Sequence, residues 1–563
     1  MSTGHEEPVW TDTVAKPSFG RELFAGRLRL DLIDSIPSFA LDADSSAFLA
    51  RLRAFCVDTV DGRVIEREDR IPDEVVDGLR DIGAFGIRIP KEYGGLGLPN
   101  TCYHRALMIV SSAHSSLGEL LAAHQSIGLV QPLLLFGTDA QCKEFLPRCV
   151  REISAFVLNE PDTGNDPFRL RTTATAVAGG YLLDGVKLWA TNGVRAGFLV
   201  VMAKGPGGMS AFVVPADSPG VTVEHRSSFL GLRGSATGVI RLRDVFVPVS
   251  RRIGVEGQGL EIALAAQDMG RLSVPAMCAA AAKWSLKVAR EWSRERVQWG
   301  RPIGANAAVA SKISFIAATA FALGAMVEVS GRHADAGRFD TRLEADLAKL
   351  FASEKAWRIA DELVQIRGGR GYETAESAAA RGERGVPVEQ LLRDVRIARI
   401  FDGSSEALRV FVATDALRES TVVGRPVPSS SLAGSFGVLA QHVRFVDRAA
   451  RRLERHIDTG KARWGSALGS RQMFLGRIVD TAAELYAMTA SCVYAKALGD
   501  SAVELADAFC RQARRRVAAL SDQLWVNTDD HDGTVATRVL ADSYTWLEEG
   551  VLDPSIAGPW IAP

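Results

Sequence analysis

The sequence predicts a mostly α-helical chain with an antiparallel β module inserted between two helical regions and a further helical domain appended at the C-terminus. Apolar residues recur three and four positions apart from about residue 40 to 152 and again from about 256 to 418, as in amphipathic helices. Between these regions, short runs rich in Val, Thr, Leu and Phe are separated by Gly-Gly and Asp-Gly pairs, which indicates β-hairpins. With 563 residues the chain is also too long for a single core.

These patterns divide the chain into segments. The long helical run EADLAKLFASEKAWRIADELVQI predicts a helix bundle, and TVVGRPVPSSSLAGS after it has the Pro/Ser/Gly composition of a linker. A β module between two helical regions creates a crevice at which cofactors often bind. The predicted segments are an N-terminal extension (1–39), a helical N-terminal domain (40–152), a middle β domain (153–255), the bundle (256–418), the linker (419–435) and a C-terminal helical domain (436–563).

Composition excludes several classes of protein. Lys and Arg together number 66 and Asp and Glu 67, so no global charge favours nucleic acid as the main partner. The seven cysteines are scattered without a CxxC pair, which fits neither a disulfide framework nor a zinc site and indicates a reducing compartment. The N-terminus lacks the apolar run of a secretory signal and the acid-poor composition of a transit peptide, so we expect a cytoplasmic protein. The uncharged stretch 313–327 is shorter than the ~20 residues of a spanning helix and predicts a buried one.

Four short motifs could carry chemistry, although each has an ordinary structural explanation. Polar groups and a tryptophan lie at the predicted strand ends in AFVLNEPDTGNDP and DGVKLWATNG. They could contact a planar ligand, or they could belong to an ordinary loop and to the core. SRERVQWGRPIG offers guanidinium groups suited to a pyrophosphate, or cations that answer a helix dipole. VQIRGGRGYE either brings backbone close to a phosphate or caps a helix, and it is not a Rossmann fingerprint.

A fifth stretch, IARIFDGSSEALRVF, interrupts a helical pattern with Asp402 and Gly403. Asp-Gly is a common turn dipeptide, and from these residues alone the pair is a turn.

Taken in order along residues 40 to 418, the motifs YGGLGL, HQSIGL, LNEP, KLWATNG, GLRGSATG, RDVFVP, DMGR, RVQWGRPIG, QIRGGRGY, PVEQLLRD and RIFDGSSE resemble the acyl-CoA dehydrogenase family. The long C-terminal domain resembles the very-long-chain branch. The resemblance implies FAD bound at the junction of the β module and the bundle, usually across a dimer interface. It also implies oxidation of an acyl thioester to its 2,3-enoyl form, with electrons passed to an acceptor such as an electron-transfer flavoprotein.

By position, the resemblance makes Asp402 the catalytic base, with Asp268, Arg271 and Gly403 contacting the substrate. A base held near the weakly acidic α-proton, in apolar surroundings that raise its pKa, suits this chemistry. The residues implied in FAD binding are Phe156, Leu158, Asn159, Asn165, Trp189, Thr191, Arg296, Gln298, Trp299, Gln365, Gly368, Gly369, Ser404 and Glu406, of which Arg296, Gln298 and Trp299 would serve the neighbouring subunit.

The chain departs from the family's pattern at several positions. Most members have Glu where this chain has Asp402, which is one methylene shorter. Gly270 stands where some relatives place an alternative glutamate base. The other departures are Asn159, Asn165, Trp299 and, in place of a common cofactor-contacting Gln, Ala307. FAD binding stays the best interpretation, whereas the turnover expected of a standard member is less secure.

Other hypotheses remain open at this point. A flavin monooxygenase on the same scaffold, or a non-catalytic partner subunit, would also fit the motifs. The thioester handle could be coenzyme A or an acyl carrier protein, and we expect a homodimer or larger assembly. The insertion ETAESAAARGERGV predicts a surface elaboration, and the basic stretches 444–456 and 510–520 predict solvated helix faces in preference to membrane contacts.

Overall fold

The computed structural model describes residues 16–34, 39–418 and 433–561. Most of the predicted linker, residues 419–432, lies outside the described residues. The predicted fold class is confirmed, with helical regions on either side of a β domain and an additional helical region at the C-terminus.

The N-terminal region is helical and begins before residue 40. Its helices are α1 (Phe19–Phe24), α2 (Leu30–Ile33), α3 (Ala43–Thr59), α4 (Gly62–Glu68), α5 (Asp73–Asp81), α6 (Asn100–Ala113), α7 (Ser115–Ala122), α8 (Val130–Phe136) and α9 (Asp139–Cys149). A π-helical turn, Ala123–Ile127, joins α7 to the loop before α8. Within the predicted N-terminal extension, α1 is fixed to the bundle because the buried carboxylate of Glu344 accepts hydrogen bonds from the Ser18 hydroxyl (3.1 Å) and the Gly20 amide (2.9 Å).

The middle domain is one eight-stranded sheet with strand order β6-β7-β3-β2-β4-β5-β8, and β1 pairs with β4. Its strands are β1 (Ser154–Val157), β2 (Thr173–Val177), β3 (Gly180–Ala190), β4 (Phe198–Gly205), β5 (Gly208–Pro215), β6 (Val221–Arg226), β7 (Gly238–Pro248) and β8 (Arg252–Ile253). Most pairs are antiparallel, as predicted, but β1 and β2 each pair with β4 in parallel. The prediction of an antiparallel sheet was therefore wrong for these two pairs. A long loop follows β1, and the chain then enters β2, which pairs with the same strand, β4.

The bundle that follows contains the longest helices. They are α10 (Gly259–Glu295), α11 (Ala307–Ala336), α12 (Arg342–Arg367), α13 (Gly369–Tyr372), α14 (Ala375–Ala380), α15 (Val388–Arg396) and α16 (Ser405–Ala416), with the short hairpin β9 (Val297–Gln298) and β10 (Arg301–Pro302) between α10 and α11. Helix α11 is long and apolar enough to cross a membrane by composition, but 78% of its most apolar window is buried inside the protein.

The C-terminal region packs on the bundle through α17 (Ala440–Trp464), α18 (Gln472–Leu498) and α19 (Asp500–Gln523), and it ends in α20 (Asp529–Leu540). Helix α18 is buried along most of its length. Ion pairs tie it to the bundle, because Glu484 accepts from Lys355 of α12 (2.7 Å) and Asp480 from Arg409 of α16 (2.9 Å). Apolar side chains of the bundle and of α17–α19 form one continuous core.

Candidate active site

Asp402 lies on a tight turn between two helices. After α15, a 3₁₀ turn (Ile397–Arg399) leads to Asp402 and Gly403, which have φ angles of +51° and +88°. The next residue, Ser404, caps α16, since its hydroxyl oxygen accepts a hydrogen bond from the Ala407 amide (3.3 Å). A left-handed conformation is unfavourable for most residues, although Asp and Asn tolerate it better than others. Two such residues in succession break the helical path between α15 and α16.

Two cations hold the backbone of this turn. The ammonium group of Lys349, a fully buried residue of α12, donates to the carbonyl oxygen of Gly403 (2.6 Å). The guanidinium of Arg271, on α10, approaches the carbonyl oxygen of Asp402 (3.4 Å) and donates to the buried carboxylate of Asp346 (2.8 Å). Both carbonyls of the left-handed pair thus face a positive charge from the bundle, which stabilises the turn.

The same cations act on the Asp402 carboxylate. Burial raises the pKa of Asp402 above its ordinary value, and the charges of Lys349 and Arg271 oppose that rise. Burial in turn lowers the pKa of Lys349 to about 8, although the negative charge of Asp402 works against the shift. A carboxylate with a raised pKa is a stronger base than one in water, provided that it is still ionised at the working pH.

Two further carboxylates complete the cluster around Arg271. Asp268 lies 3.5 Å from the Arg271 guanidinium, and burial followed by the charge of Asp346 raises the pKa of Asp268 to about 7. Burial raises the pKa of Asp346 to about 6, against the attraction of Arg271. The structure therefore brings the predicted substrate-contacting residues Asp268, Arg271 and Gly403 together with Asp402.

Helix α10 passes the Asp402 carboxylate at Gly270, a residue without a side chain. A Cβ atom built on Gly270 would lie 3.5 Å from Oδ2 of Asp402 and 2.8 Å from Cδ1 of Ile127. A side chain at position 270 would therefore occupy the space beside the carboxylate, and glycine leaves that space free.

Glu119 is a second buried carboxyl group near the turn. It belongs to α7, is 8% exposed, and lies near Ser235 of the β domain. Burial, together with the nearby charges of Asp394 and Asp402, raises the pKa of Glu119 to about 7. The two carboxylates therefore interact, so the protonation of one influences the other.

The edge of the β domain that meets the helices carries the residues predicted to line a flavin ring. Trp189 has a φ angle of +55° and is 53% exposed. Three residues on, Asn192 donates from its side chain to the Leu120 carbonyl of α7 (3.0 Å), which fixes this edge against the helix that carries Glu119. The other residues predicted to line the flavin ring lie on two chain segments, β1 with the loop after it and the end of β3. They are Phe156, Leu158, Asn159, Asn165 and Thr191.

A buried ion pair supports the loop that follows β1. The ammonium of Lys187, in β3, donates to Glu160 (2.8 Å), to the Met202 carbonyl (2.7 Å) and to the Leu158 carbonyl (3.3 Å). Glu160 also accepts from the Thr172 amide (3.0 Å). These bonds lock the loop on which Leu158, Asn159 and Asn165 lie.

A second group of predicted FAD contacts lies elsewhere, near the end of α10 where the Trp292 indole is located. The guanidinium groups of Arg296, Arg367 and Arg370 lie 6.0, 4.7 and 5.8 Å from the centre of that ring. Gln365, Gly368 and Gly369 lie at the adjoining end of α12, and a Cβ on either glycine would meet open space. Gln298 and Trp299 lie on the β9–β10 hairpin, where Trp299 is 88% exposed.

These basic residues and Asp402 lie at opposite ends of the bundle. Helices α10 and α12 run side by side in the same direction, because Arg271 pairs with Asp346 near their first halves and Trp292 donates to the Ile366 carbonyl (3.2 Å) at their ends. At about 1.5 Å per residue, Arg271 and Arg296 are roughly 38 Å apart along α10. The structure does not bring the two groups of predicted FAD contacts together within one chain. Ser404 lies with Asp402, and Glu406 is exposed on the first turn of α16.

The sequence motifs do not point to Lys349, Asp346 or Glu119. What could have identified these residues is their position among apolar ones. Asp346 and Lys349 lie on either side of Leu347 and Ala348 in α12, and Glu119 interrupts the apolar run LGELLAAHQ. A charged residue on the apolar face of a helix is rarely buried unless it is paired or functional.

Known proteins resemble the chain along most of its length. Profiles described as the N-terminal, middle and C-terminal domains of acyl-CoA dehydrogenase match residues 42–152, 155–245 and 257–417. "Probable acyl-CoA dehydrogenase FadE10" of Mycobacterium tuberculosis is 54% identical over 97% of this chain and 92% of its own length. Mitochondrial very long-chain specific acyl-CoA dehydrogenase of Bos taurus is 34% identical over 70% of this chain and 61% of its own.

Two solved structures give the same result. An acyl-CoA dehydrogenase complexed with FAD from Bacillus anthracis superposes with a TM-score of 0.79 at 24% identity, covering 91% of this chain and 92% of that one, which shows the fold. Butyryl-CoA dehydrogenase from Megasphaera elsdenii superposes with a TM-score of 0.63 at 30% identity, covering 67% of this chain and 99% of that one.

Proposed function

Since the chain belongs to the acyl-CoA dehydrogenase family of FAD-binding oxidoreductases, we propose that Asp402 is the base of its reaction. The observation that carries the proposal is the turn itself. It presents a carboxylate of raised pKa beside the bare backbone of Gly270, and Lys349 and Arg271 hold both of its carbonyls.

In the proposed reaction an acyl thioester loses two hydrogens and gains a double bond between C2 and C3. Asp402 takes the α-proton on a carboxylate oxygen, so the carboxylate becomes a neutral acid. FAD, when bound, would supply the two-electron oxidation that removes the β-hydrogen as hydride. Loss of negative charge from Asp402 suits its buried position, because the apolar surroundings that raise its pKa favour the neutral form.

The residues of the chain fit an FAD molecule in two parts. The β-domain edge offers the exposed Trp189 ring as an apolar face for a flavin. The far end of the bundle offers Arg296 and Arg367, and guanidinium groups match the oxygens of a diphosphate. The Nε atom of Arg367 is buried without a hydrogen-bond partner, and the open backbone at Gly368 and Gly369 leaves space beside it.

We propose further that each FAD is shared between two copies of the chain. The flavin end would lie beside Asp402 of one copy, and the diphosphate end beside Arg296 and Gln298 of the other. The support is the roughly 38 Å between Arg271 and Arg296 along α10. A homodimer is the simplest assembly in which each copy supplies both ends.

The proposed substrate is an acyl-CoA, with an acyl group on a carrier protein as the alternative, and the proposed electron acceptor is an electron-transfer flavoprotein. Anaerobic mixing of the purified protein with acyl-CoAs of graded length and branching should bleach the flavin absorbance with those that fit. The same acyl groups on a carrier protein distinguish the two handles.

The decisive variant is Asp402→Asn, which keeps the shape of the side chain but removes its basicity. We expect the protein to stay yellow and the rate of anaerobic bleaching to fall about 10²–10⁴-fold, the usual contribution of a positioned base. Asp394→Asn is the control, because Asp394 is a buried carboxylate that accepts from the Leu232 amide and holds the β domain.

Bleaching that persists in Asp402→Asn would remove this residue from the mechanism. A colourless protein that takes up no added FAD would favour a non-catalytic subunit. Rapid oxygen consumption with a flavin reductase, without bleaching by any acyl thioester, would favour a monooxygenase.

A further inference from the structure

The last part of the described chain forms a C-terminal arm, residues 531–561, that leaves the body of the protein. Every residue of the arm is exposed apart from the partly buried Tyr544, and α20 has no buried residue. The arm nevertheless carries large apolar side chains, with exposed fractions of 62% at Trp546, 95% at Leu552, 98% at Ile556 and 102% at Trp560.

Such an arm needs a surface to cover it. A helix of 12 residues is marginal in water without tertiary packing. Exposed apolar side chains concentrated in one segment are typical of an interaction site. The arm is long enough to reach a neighbour, because its roughly 20 residues after α20 can span up to about 65 Å when extended.

The base of the arm is fixed firmly. Arg477 of α18 makes two hydrogen bonds to Asp529 (2.6 and 2.7 Å), and Arg471 pairs with Asp530 (2.7 Å). Just before them, the Trp525 ring stacks on Trp464 at the end of α17, with 5.8 Å between ring centres. These contacts set the direction in which the arm leaves, and the hydrogen bonds of the described residues beyond Asp530 are local, reaching back no further than Thr528.

The charge of the arm indicates its partner. It contains Asp532, Asp542, Glu548, Glu549 and Asp553 but a single basic residue, Arg538. The surface that covers it should therefore be basic and should also offer a face to tryptophan rings.

Helix α17 carries such a surface. We define the α17 stripe as Arg444, Arg448, Arg452 and Arg455, which follow one another at spacings of three or four residues and are all exposed. Their helix buries the opposite side, including Val446 and Leu453, in the core. None of the four makes an ion pair to a described acidic residue. Guanidinium groups pair with carboxylates and also stack on tryptophan, the aromatic ring best suited to a cation–π contact.

We propose that the arm of one copy docks on the α17 stripe of a second copy of this chain, each arm crossing to the other protomer. A second copy of the chain carries the basic α17 stripe that complements the acidic arm. A two-fold arrangement of the two copies forms both arm–stripe contacts at once. In the isolated chain the arm leaves its own stripe uncovered. The contact is separate from FAD binding, because neither the arm nor the stripe includes a residue of the candidate active site.

A photo-crosslinking experiment tests this contact directly. Ser555, near the middle of the extended part of the arm, is replaced by Cys and labelled with benzophenone maleimide; the native cysteines are all buried, so labelling is confined to the new thiol. The labelled full-length holoprotein is mixed and re-equilibrated with an unlabelled, ¹⁵N-grown copy and irradiated. We expect crosslinks that join the ¹⁴N arm to ¹⁵N peptides from residues 440–464.

Reversal of the stripe (Arg444→Glu, Arg448→Glu, Arg452→Glu and Arg455→Glu) in the ¹⁵N copy should lower the yield of these crosslinks about tenfold or more. The matched control is Arg51→Glu with Arg53→Glu, two exposed arginines of α3, which should leave the yield unchanged. Flavin content and bleaching by substrate, measured on the same samples, report separately on the active site.

Three outcomes would overturn the proposal. Crosslinks confined to a single isotope would show that the arm folds on its own chain. Crosslinks between isotopes that map elsewhere than α17, or that survive reversal of the stripe, would assign another surface. Crosslinks to lipid in place of protein, when anionic vesicles are added, would make the arm a membrane anchor.

Discussion

Lys349 combines two effects on the proposed base, since its ammonium group holds the Gly403 carbonyl and its charge opposes the rise in the pKa of Asp402. Substitution Lys349→Met keeps the length of the side chain and removes the charge. We expect the pKa of Asp402 to rise further. Because Asp402 must be ionised to accept a proton, the acidic limb of the activity profile should move to higher pH.

The measurement is the rate of anaerobic flavin bleaching as a function of pH. Lys355→Met is the matched control, because Lys355 lies on the same helix and pairs with Glu484 of α18 instead of the turn (2.7 Å). A profile that moves equally in both variants, or in neither, would contradict the assigned role of Lys349.

Glu119 should respond to Asp402 without setting its pKa. Burial, together with the charges of Asp394 and Asp402, raises the pKa of Glu119 to about 7, whereas burial, Lys349 and Arg271 determine the pKa of Asp402. Glu119→Gln removes the titrating group while preserving the shape of the side chain. The acidic limb of the bleaching profile should then stay at its wild-type pH, in contrast to Lys349→Met. A limb that moves to lower pH would show that the charge of Glu119 also raises the pKa of Asp402.

At this scale the sequence predicts the turn but not its surroundings. Asp402-Gly403 is a turn dipeptide, and the structure places both residues in left-handed conformations. Lys349 is a different case, because lysines on amphipathic helices are usually solvated and nothing local marks this one as buried. Its partner, the Gly403 carbonyl, lies 54 positions away along the chain, so only the packing of α12 against the turn reveals the contact.

At the scale of the elements, helix α10 is tightly packed at Gly270, where it passes Asp402. In Gly270→Ala the new Cβ would lie 2.8 and 2.9 Å from two atoms of Ile127, and such overpacking typically costs about 1–3 kcal/mol. Alanine's better helix propensity returns up to about 1 kcal/mol. We expect lower thermal stability together with slower bleaching.

The double variant Gly270→Ala with Ile127→Ala tests this explanation, because the second substitution removes both contacting atoms. The loss of unfolding free energy in the double variant should be smaller than the sum of the two single losses by about 1–2 kcal/mol. Additive losses, measured by denaturant unfolding of the holoprotein, would mean that the contact with Ile127 is not the source of the cost.

Element type was more predictable than element pairing. Periodicity in the sequence predicts helices before and after the β domain and in the C-terminal region, and the structure contains them. Periodicity does not predict that β1 pairs in parallel with β4. It also does not predict that α10 and α12, which α11 separates along the chain, pack side by side in the same direction. Both are long-range pairings, and they depend on packing that a local pattern does not encode.

For the whole molecule, a shared FAD makes a prediction about mixed dimers. Asp402→Asn damages the flavin end of a site, and Arg296→Ala damages the diphosphate end. If each site draws one end from each copy, a mixed dimer has one site with both defects and one with none. Half of the sites in isolated mixed dimers are therefore intact, so about half of the wild-type activity per site should recover in them.

The readout is bleaching activity after the two inactive variants are co-refolded or co-expressed and purified through different affinity tags. Two Asp402→Asn chains carrying the same two tags are the control and should stay inactive. Absence of recovery in well-formed mixed dimers would place both ends of the cofactor site in one chain.

The bare backbone at Gly270 also bears on how such a site can change over generations. A glycine codon of the right type becomes a glutamate codon by a single base substitution, and the Cβ of that glutamate would start 3.5 Å from the Asp402 oxygen. One mutation thus places a second carboxylic acid beside the proposed base. A lineage that repacked Ile127 around it could then lose Asp402 without an inactive intermediate, so the proposed base could move from a loop to a helix while the reaction is retained.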